Sequence, residues 1–249
     1  GLSAAARAAY WDKERGLNTP SYLLLEGFNH SAKTIYRYQK GKHVMDEPGF
    51  LALRSDMPFT SGTREAILGT WDARTDDLNI NLRRQVEVTD IRGSKGAFEL
   101  RTSAGEHIQA AHVVLAIGTQ GNPRALGCAG DEESDFVRYT LDDPAEFQGE
   151  TIVVVGAGDA AIENAIALAA YNKVVIVNRR SEFSRAKDGN LNAILKAIHD
   201  TGTDLVCRYE TSVARLELPE QSGKPGAIVL RRPSGEERVE CHRIIARLG

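Results

Sequence analysis

The segment from Ile152 to Val177 constrains the fold more than any other part of the chain. Ile152–Val155 is a short, continuous apolar run, the pattern of a parallel strand buried on both faces. Gly156-Ala157-Gly158-Asp159-Ala160-Ala161 follows. An Ala-rich helical pattern then runs over Asp159–Tyr171, and a second apolar strand over Val174–Val177. Gly156 permits a tight turn, Gly158 leaves the backbone approachable, and Ala161 lets helix and strand pack closely. The helix N-terminus then offers free N–H groups and a positive dipole end. That combination suits a pyrophosphate, so the segment predicts a dinucleotide-binding unit. A single-cofactor Rossmann enzyme, such as a methyltransferase, is the competing reading of this motif.

The same plan occurs twice. With Gly1 placed on Ala161, Leu2-Ser3-Ala4-Ala5-Ala6 falls on Ile162-Glu163-Asn164-Ala165-Ile166, and each helix runs on into an apolar strand. The ends match as well, His112–Gly118 with Arg243–Gly249. Two tandem doubly wound units are the simplest account. The expected fold is therefore α/β, with two Rossmann-like dinucleotide-binding domains over 1–123 and 124–249. A small antiparallel β-meander is expected from Val86–Arg92, Ala97–Thr102 and Glu106–Gln109, and Val113–Ile117 reads as a returning parallel strand. The first copy begins inside its helix, so a preceding strand and glycine turn are expected outside this sequence. On that expectation these 249 residues hold the first cofactor poorly and the second weakly.

Two strand ends carry the remaining candidate ligands. Glu26 ends the strand Tyr22–Glu26, about twenty-five residues after the glycine turn, where a carboxylate can accept from ribose hydroxyls. Asn178-Arg179-Arg180 ends the strand Val174–Val177, with Arg185 beyond. An acid would favour NADH there, whereas arginines fork onto a 2′-phosphate, so NADPH is expected, with NADH as the alternative.

Other chemistries find little support. The six histidines and three cysteines show no metal-ligand spacing, and Cys128, Cys207 and Cys241 form no C-x-x-C pair. A net charge of -3 gives no case for nucleic acid. No apolar run has bilayer-spanning length, and neither a membrane partner nor a signal peptide is expected. Sparse, separated cysteines suit a reducing, cytoplasmic setting.

Four stretches together resemble the thioredoxin-reductase-like class of FAD-dependent pyridine nucleotide oxidoreductases. They are Gly1–Ala5, Leu23–Glu26, Val113–Thr119, and Val155–Glu163 continuing to Asn178–Arg180. The resemblance implies that FAD and NADPH are the cofactors and that hydride passes from NADPH to flavin. Gly1 would be the last glycine of the FAD pyrophosphate turn, and Glu26 the ligand of the FAD ribose. Backbone groups around Val86 would meet the adenine, and Gly118-Thr119 would mark the chain's return beside FAD. Gly156, Gly158, Asp159, Ala160 and Ala161 match the NADPH turn, and Glu163 matches a family acid near the nicotinamide. Arg179, Arg180 and Arg185 resemble the 2′-phosphate arginines, although Asn178 replaces the common histidine.

The redox C-x-x-C of true thioredoxin reductases is absent from Tyr139–Gly149. The chain therefore resembles members without it: ferredoxin–NADP reductases of this type, low-molecular-weight disulfide reductases, and modules joined to iron–sulfur domains. Tyr36–Lys42 and Thr63–Glu65 resemble the latter two. The implied electron acceptor is unidentified, a ferredoxin-like or iron–sulfur partner or a small disulfide, and a homodimer is compatible. No side chain is implied as an acid or nucleophile. A flavin-binding redox sensor without turnover is the alternative.

Overall fold

A computed structural model describes residues 1–46, 55–118 and 123–248. The chain divides into two compact units, Gly1–Thr119 and Gln120–Gly249.

The first unit opens with helix α1 (Leu2–Glu14), whose Ala5 and Ala6 are buried. Strand β1 (Leu24–Glu26) follows, then α2 (Lys33–Tyr36), a two-residue ladder of β2 (His43–Val44) with β3 (Gly62–Thr63), and α3 (Arg64–Asp77). Thr63 caps α3, its Oγ1 accepting from the Ala66 N–H at 3.3 Å. The sequence pattern stops this helix at Trp71; it continues to Asp77, with Thr75 buried in the added turns. Strand β4 (Leu82–Arg84) pairs in parallel with β1, a strand that its basic composition hides from a hydrophobicity reading. Ala5, Ala6, Met57 and Ile80 form the local core, with Leu24, Trp71 and Leu82 packed against it. Strands β5 (Val88–Ser94), β6 (Ala97–Thr102) and β7 (His107–Ala110) make the expected antiparallel meander.

One expected element of this unit is not a strand. Val113–Ile117 joins no ladder, and Val114, Leu115 and Ile117 are 73%, 68% and 87% exposed. An apolar run becomes a parallel strand only where a neighbour takes up its N–H and C=O groups, and no described strand pairs with it. Thr119 and Gly249, both used in the sequence comparison, lie outside the described residues.

The second unit is built on a five-stranded parallel sheet. Its strands are β8 (Val137–Arg138), β9 (Thr151–Val155), β10 (Lys173–Val177), β11 (Leu205–Arg208) and β15 (Arg243–Ala246), in the order β11-β10-β9-β15-β8. Helix α4 (Asp159–Ala169) links β9 to β10, and α5 (Asp188–His199) links β10 to β11. Alternation along β9 explains why its run is apolar throughout. Ile152 and Val154 pack with Ile162, Ala165 and Leu168 of α4, while Val153 and Val155 face the other way. There they meet Ile228 and Leu230 of a second meander, β12 (Ser212–Glu217), β13 (Gly226–Arg232) and β14 (Gly235–Cys241). A strand covered on both faces has no solvated side for polar residues. The sequence reads 205–218 as one strand and 239–248 as another. Each is two strands, because the chain leaves the parallel sheet at Arg208 to enter the meander and rejoins it at Arg243. Edge strand β8 lies in the Gly- and acid-rich stretch 121–143, which the sequence reads as a connector, and at two residues it is too short for a pattern.

Candidate dinucleotide sites

In the second unit the glycine turn lies at the C-terminal end of β9. Gly156 has φ +138°, and a Cβ there would stand 2.3 Å from the Arg247 carbonyl oxygen and 3.3 Å from the Ala161 Cβ. The turn is closed by the Gly156 N–H donating to the Val177 carbonyl at 3.1 Å and by the Arg247 N–H donating to the Val155 carbonyl at 2.8 Å. Gly156 is thus required by the return strand as well as by the turn. Arg247 lies 91 positions from Gly156, so no sequence pattern could have shown this.

Gly158 differs. Its φ is -91°, ordinary for any residue, and a Cβ there would meet nothing within 4 Å. It is the N-cap of α4, and no side chain caps that helix. The first N–H groups of a helix have no partner inside it. Open space beside an uncapped N-terminus is what a pyrophosphate requires. Ala160 is half-buried in this first turn and Ala161 fully buried beneath it.

Asp159 and Glu163 do not face open space as simple ligands. Asp159 Oδ1 accepts from the Lys187 N–H at 2.9 Å and from Asn190 Nδ2 at 2.8 Å. The same Asn190 Nδ2 donates to Glu163 Oε1 at 3.2 Å. Asn190 is a residue that sequence reasoning missed; nothing about an asparagine near a helix start marks it as a bridge. Asn178 also has a role that sequence reasoning missed. It is 1% exposed, and its amide is consumed inside its own loop. Oδ1 accepts from the Arg180 N–H and Nδ2 donates to the Glu182 carbonyl, each at 2.9 Å. Arg179, Arg180 and Arg185 all project into solvent from that loop, with Arg180 Nη1 donating to Ser184 Oγ at 2.8 Å.

In the first unit Gly1 is the N-cap of α1, again without a side-chain cap. A Cβ on Gly1 would lie 3.4 Å from Leu24 Cδ1 and 3.7 Å from the Ala116 Cβ, so helix start, β1 and the 113–117 segment converge here. Glu26 ends β1, with Oε1 accepting from the Phe28 N–H at 3.2 Å. The Val86 N–H donates to the Glu26 carbonyl at 3.0 Å, so the backbone donor of Val86 is spent inside the protein. Gly118 has φ +69°, and a Cβ there would lie 4.0 Å from Thr34 Oγ1. Gly1 thus lies at the start of α1 beside β1, Glu26 ends β1 and bonds to Val86, and Gly118 lies near Thr34 of α2.

The thiols are poor candidates for electron transfer. Burial pushes Cys207 and Cys241 up to about 12, and burial with the nearby Asp131 raises Cys128. A thiol must ionise to attack a disulfide. Native protein at pH 8 is therefore expected to react with a chromogenic disulfide reagent slowly at Cys128 and not at the other two. Prompt labelling of two or three thiols before denaturation would refute this. Among the described residues no group of His, Cys, Asp or Glu is arranged to hold a metal ion, and no helix is long and apolar enough to cross a membrane.

A family model described as pyridine nucleotide-disulphide oxidoreductase matches residues 13–213. The chain belongs to this family. It is 32% identical over 180 residues to a ferredoxin–NADP reductase of Paraburkholderia xenovorans, an overlap of 71% of this chain and 49% of that one. The chain thus spans about half the length of the relatives it matches. Among solved structures, bacillithiol disulfide reductase from Staphylococcus aureus superposes with a TM-score of 0.80 at 17% identity, covering all of this chain and 74% of that one. Thioredoxin reductase from Lactococcus lactis superposes at 0.75 and 18% identity, covering all of this chain and 75% of its own. At such identities the likeness is one of fold, and the fold of this family member is thioredoxin-reductase-like.

Proposed function

We propose that this family member is an FAD-dependent NAD(P)H oxidoreductase, with residues 1–123 as the FAD half and 124–249 as the NADPH half. The observation that carries the reading is the open, uncapped N-terminus of α4 at Gly158, seated on a parallel strand end with three exposed arginines on the next strand's loop. Gly158, Ala160 and the first N–H groups of α4 would hold the NADPH pyrophosphate, and Arg179, Arg180 and Arg185 the 2′-phosphate. Gly1 and the start of α1 would hold the FAD pyrophosphate, with Glu26 on the ribose and the Val86 backbone at the adenine. Gly118 and Thr119 would border the FAD site, and Glu163 would stand toward the nicotinamide. The two cofactors would supply hydride and electron transfer; the residues of this chain bind and orient them.

The acceptor takes electrons without a cysteine pair on this chain, which fits a ferredoxin-like or iron–sulfur partner, or a small disulfide, as the names of the similar proteins suggest. A soluble cytoplasmic protein suits such partners. The test is spectroscopic. Protein expressed at the full length of its relatives should be yellow, and anaerobic NADPH should bleach it faster than NADH. Cys128→Ser should bleach at the wild-type rate. Colourless protein would remove the flavin assignment, and a slowed Cys128→Ser with flavin still bound would show a thiol relay.

A further inference from the structure

The loop joining β10 to α5, residues 178–187, carries all three exposed arginines but is itself held at three points. At its start Asn178 is buried, with its backbone N–H on the Arg208 carbonyl at 2.9 Å and its carbonyl taking the Thr211 N–H at 3.0 Å. The Asn178 amide clasps Arg180 and Glu182 from within, and the Arg180 carbonyl accepts from the Glu210 N–H at 3.1 Å. In its middle Phe183 is 3% exposed and packs edge-on against Tyr209 at 5.6 Å. At its end the Lys187 N–H and the Asn190 amide are both held by one oxygen of Asp159.

The last anchor differs in kind from the others. Asn178 and Phe183 tie the loop to its own sheet. Asp159 ties it to the first turn of α4, the element that presents the N–H groups of the glycine turn. A carboxylate in that turn favours the helix dipole but repels an incoming phosphate. Its position is explained if it acts on the loop and not on the ligand.

We propose that Asp159, bridged through Asn190, is a positioning residue for cofactor selection. It fixes the distance from the arginine loop to the glycine turn, so that a nucleotide phosphorylated at both the 5′ and 2′ positions meets both sites without reordering the loop. This rests on the NADPH reading above. Ordering a loop on binding costs conformational entropy for each residue fixed, and a clamped loop avoids that cost. The clamp matters only to ligands that touch both ends of it. Adenosine 2′,5′-bisphosphate touches both; ADP touches the turn alone.

Calorimetric titration of the whole chain with these two probes tests the proposal. Wild-type protein should prefer the bisphosphate. Asp159→Ala should weaken bisphosphate binding by at least about tenfold, the factor that one lost charge-assisted hydrogen bond amounts to. ADP, which meets the turn alone, should bind no more weakly than to wild type, because the carboxylate that repels its phosphates is gone. Asp159→Asn keeps an oxygen that can accept from Lys187 and should recover most of the preference. Asn190→Ala, which leaves the Lys187 bond in place, should fall between wild type and Asp159→Ala, and it replaces that variant if Asp159→Ala does not fold. Equal losses for both ligands, or no loss for either, would overturn the positioning role. No bisphosphate preference in the wild type would instead overturn the NADPH reading on which it rests.

Discussion

Replacing Arg179 and Arg180 together by alanine is expected to raise KM for NADPH at least a hundredfold and to leave KM for NADH nearly unchanged. Hydrogen bonds to charged groups contribute about 1.5–3 kcal/mol each, and about 1.4 kcal/mol is a factor of ten, so two lost contacts give at least about two decades. Both side chains are exposed and extend from a loop whose backbone is fixed by Asn178, so truncating them removes charge and one exposed hydrogen bond to Ser184 while the Asn178 anchor stays in place. NADH has no 2′-phosphate to lose. Steady-state kinetics with each nucleotide decides the matter. Equal effects on both would show that these arginines are a solvated basic turn.

The second large effect is structural. Gly156→Ala should destabilise the second unit by about 2–6 kcal/mol, the sum of about 1–3 kcal/mol each for strain at a positive-φ backbone position and for overpacking. The new Cβ would lie 2.3 Å from the Arg247 carbonyl, a backbone atom of the return segment that cannot swing aside as a side chain can. Gly158→Ala is the matched control. Its backbone is ordinary and its surroundings open, so stability should hold within about 0.5 kcal/mol, the usual range for an uncrowded substitution. On the proposed reading nucleotide affinity should fall in Gly158→Ala without a loss of stability, because a methyl group at residue 158 would stand where the pyrophosphate would approach. Urea unfolding with a fluorescence readout, together with ADP titration, separates the two. If Gly158→Ala unfolds as early as Gly156→Ala, the two glycines do not have the distinct roles the geometry assigns.

Much of the second unit was legible in the chain because its signals are local. A run such as Ile152–Val155, buried on both faces, must be apolar at every position. A glycine turn followed by an alanine-rich helix is read within about twenty residues. Expectation and structure agree on β9, α4 and β10 to within two residues at each end. The arginines on the next loop were legible for the same reason, since charge at a strand end needs no partner to be noticed.

What the sequence determined by itself is the α/β class, the repeated strand–turn–helix plan and the residue types at the strand ends. Tertiary structure alone decided which apolar runs become strands. Val113–Ile117 is as apolar as β9 but finds no ladder partner among the described strands, whereas the basic strand β4 finds one in β1. It also decided what Gly156, Asn178 and Asp159 do. Their partners are the Arg247 carbonyl, the interior of a loop, and the Lys187 N–H with Asn190. Composition and periodicity record whether a residue can be buried or can turn. They do not record which distant backbone group it will meet, because that is set by how sheet, helix and loop close on one another.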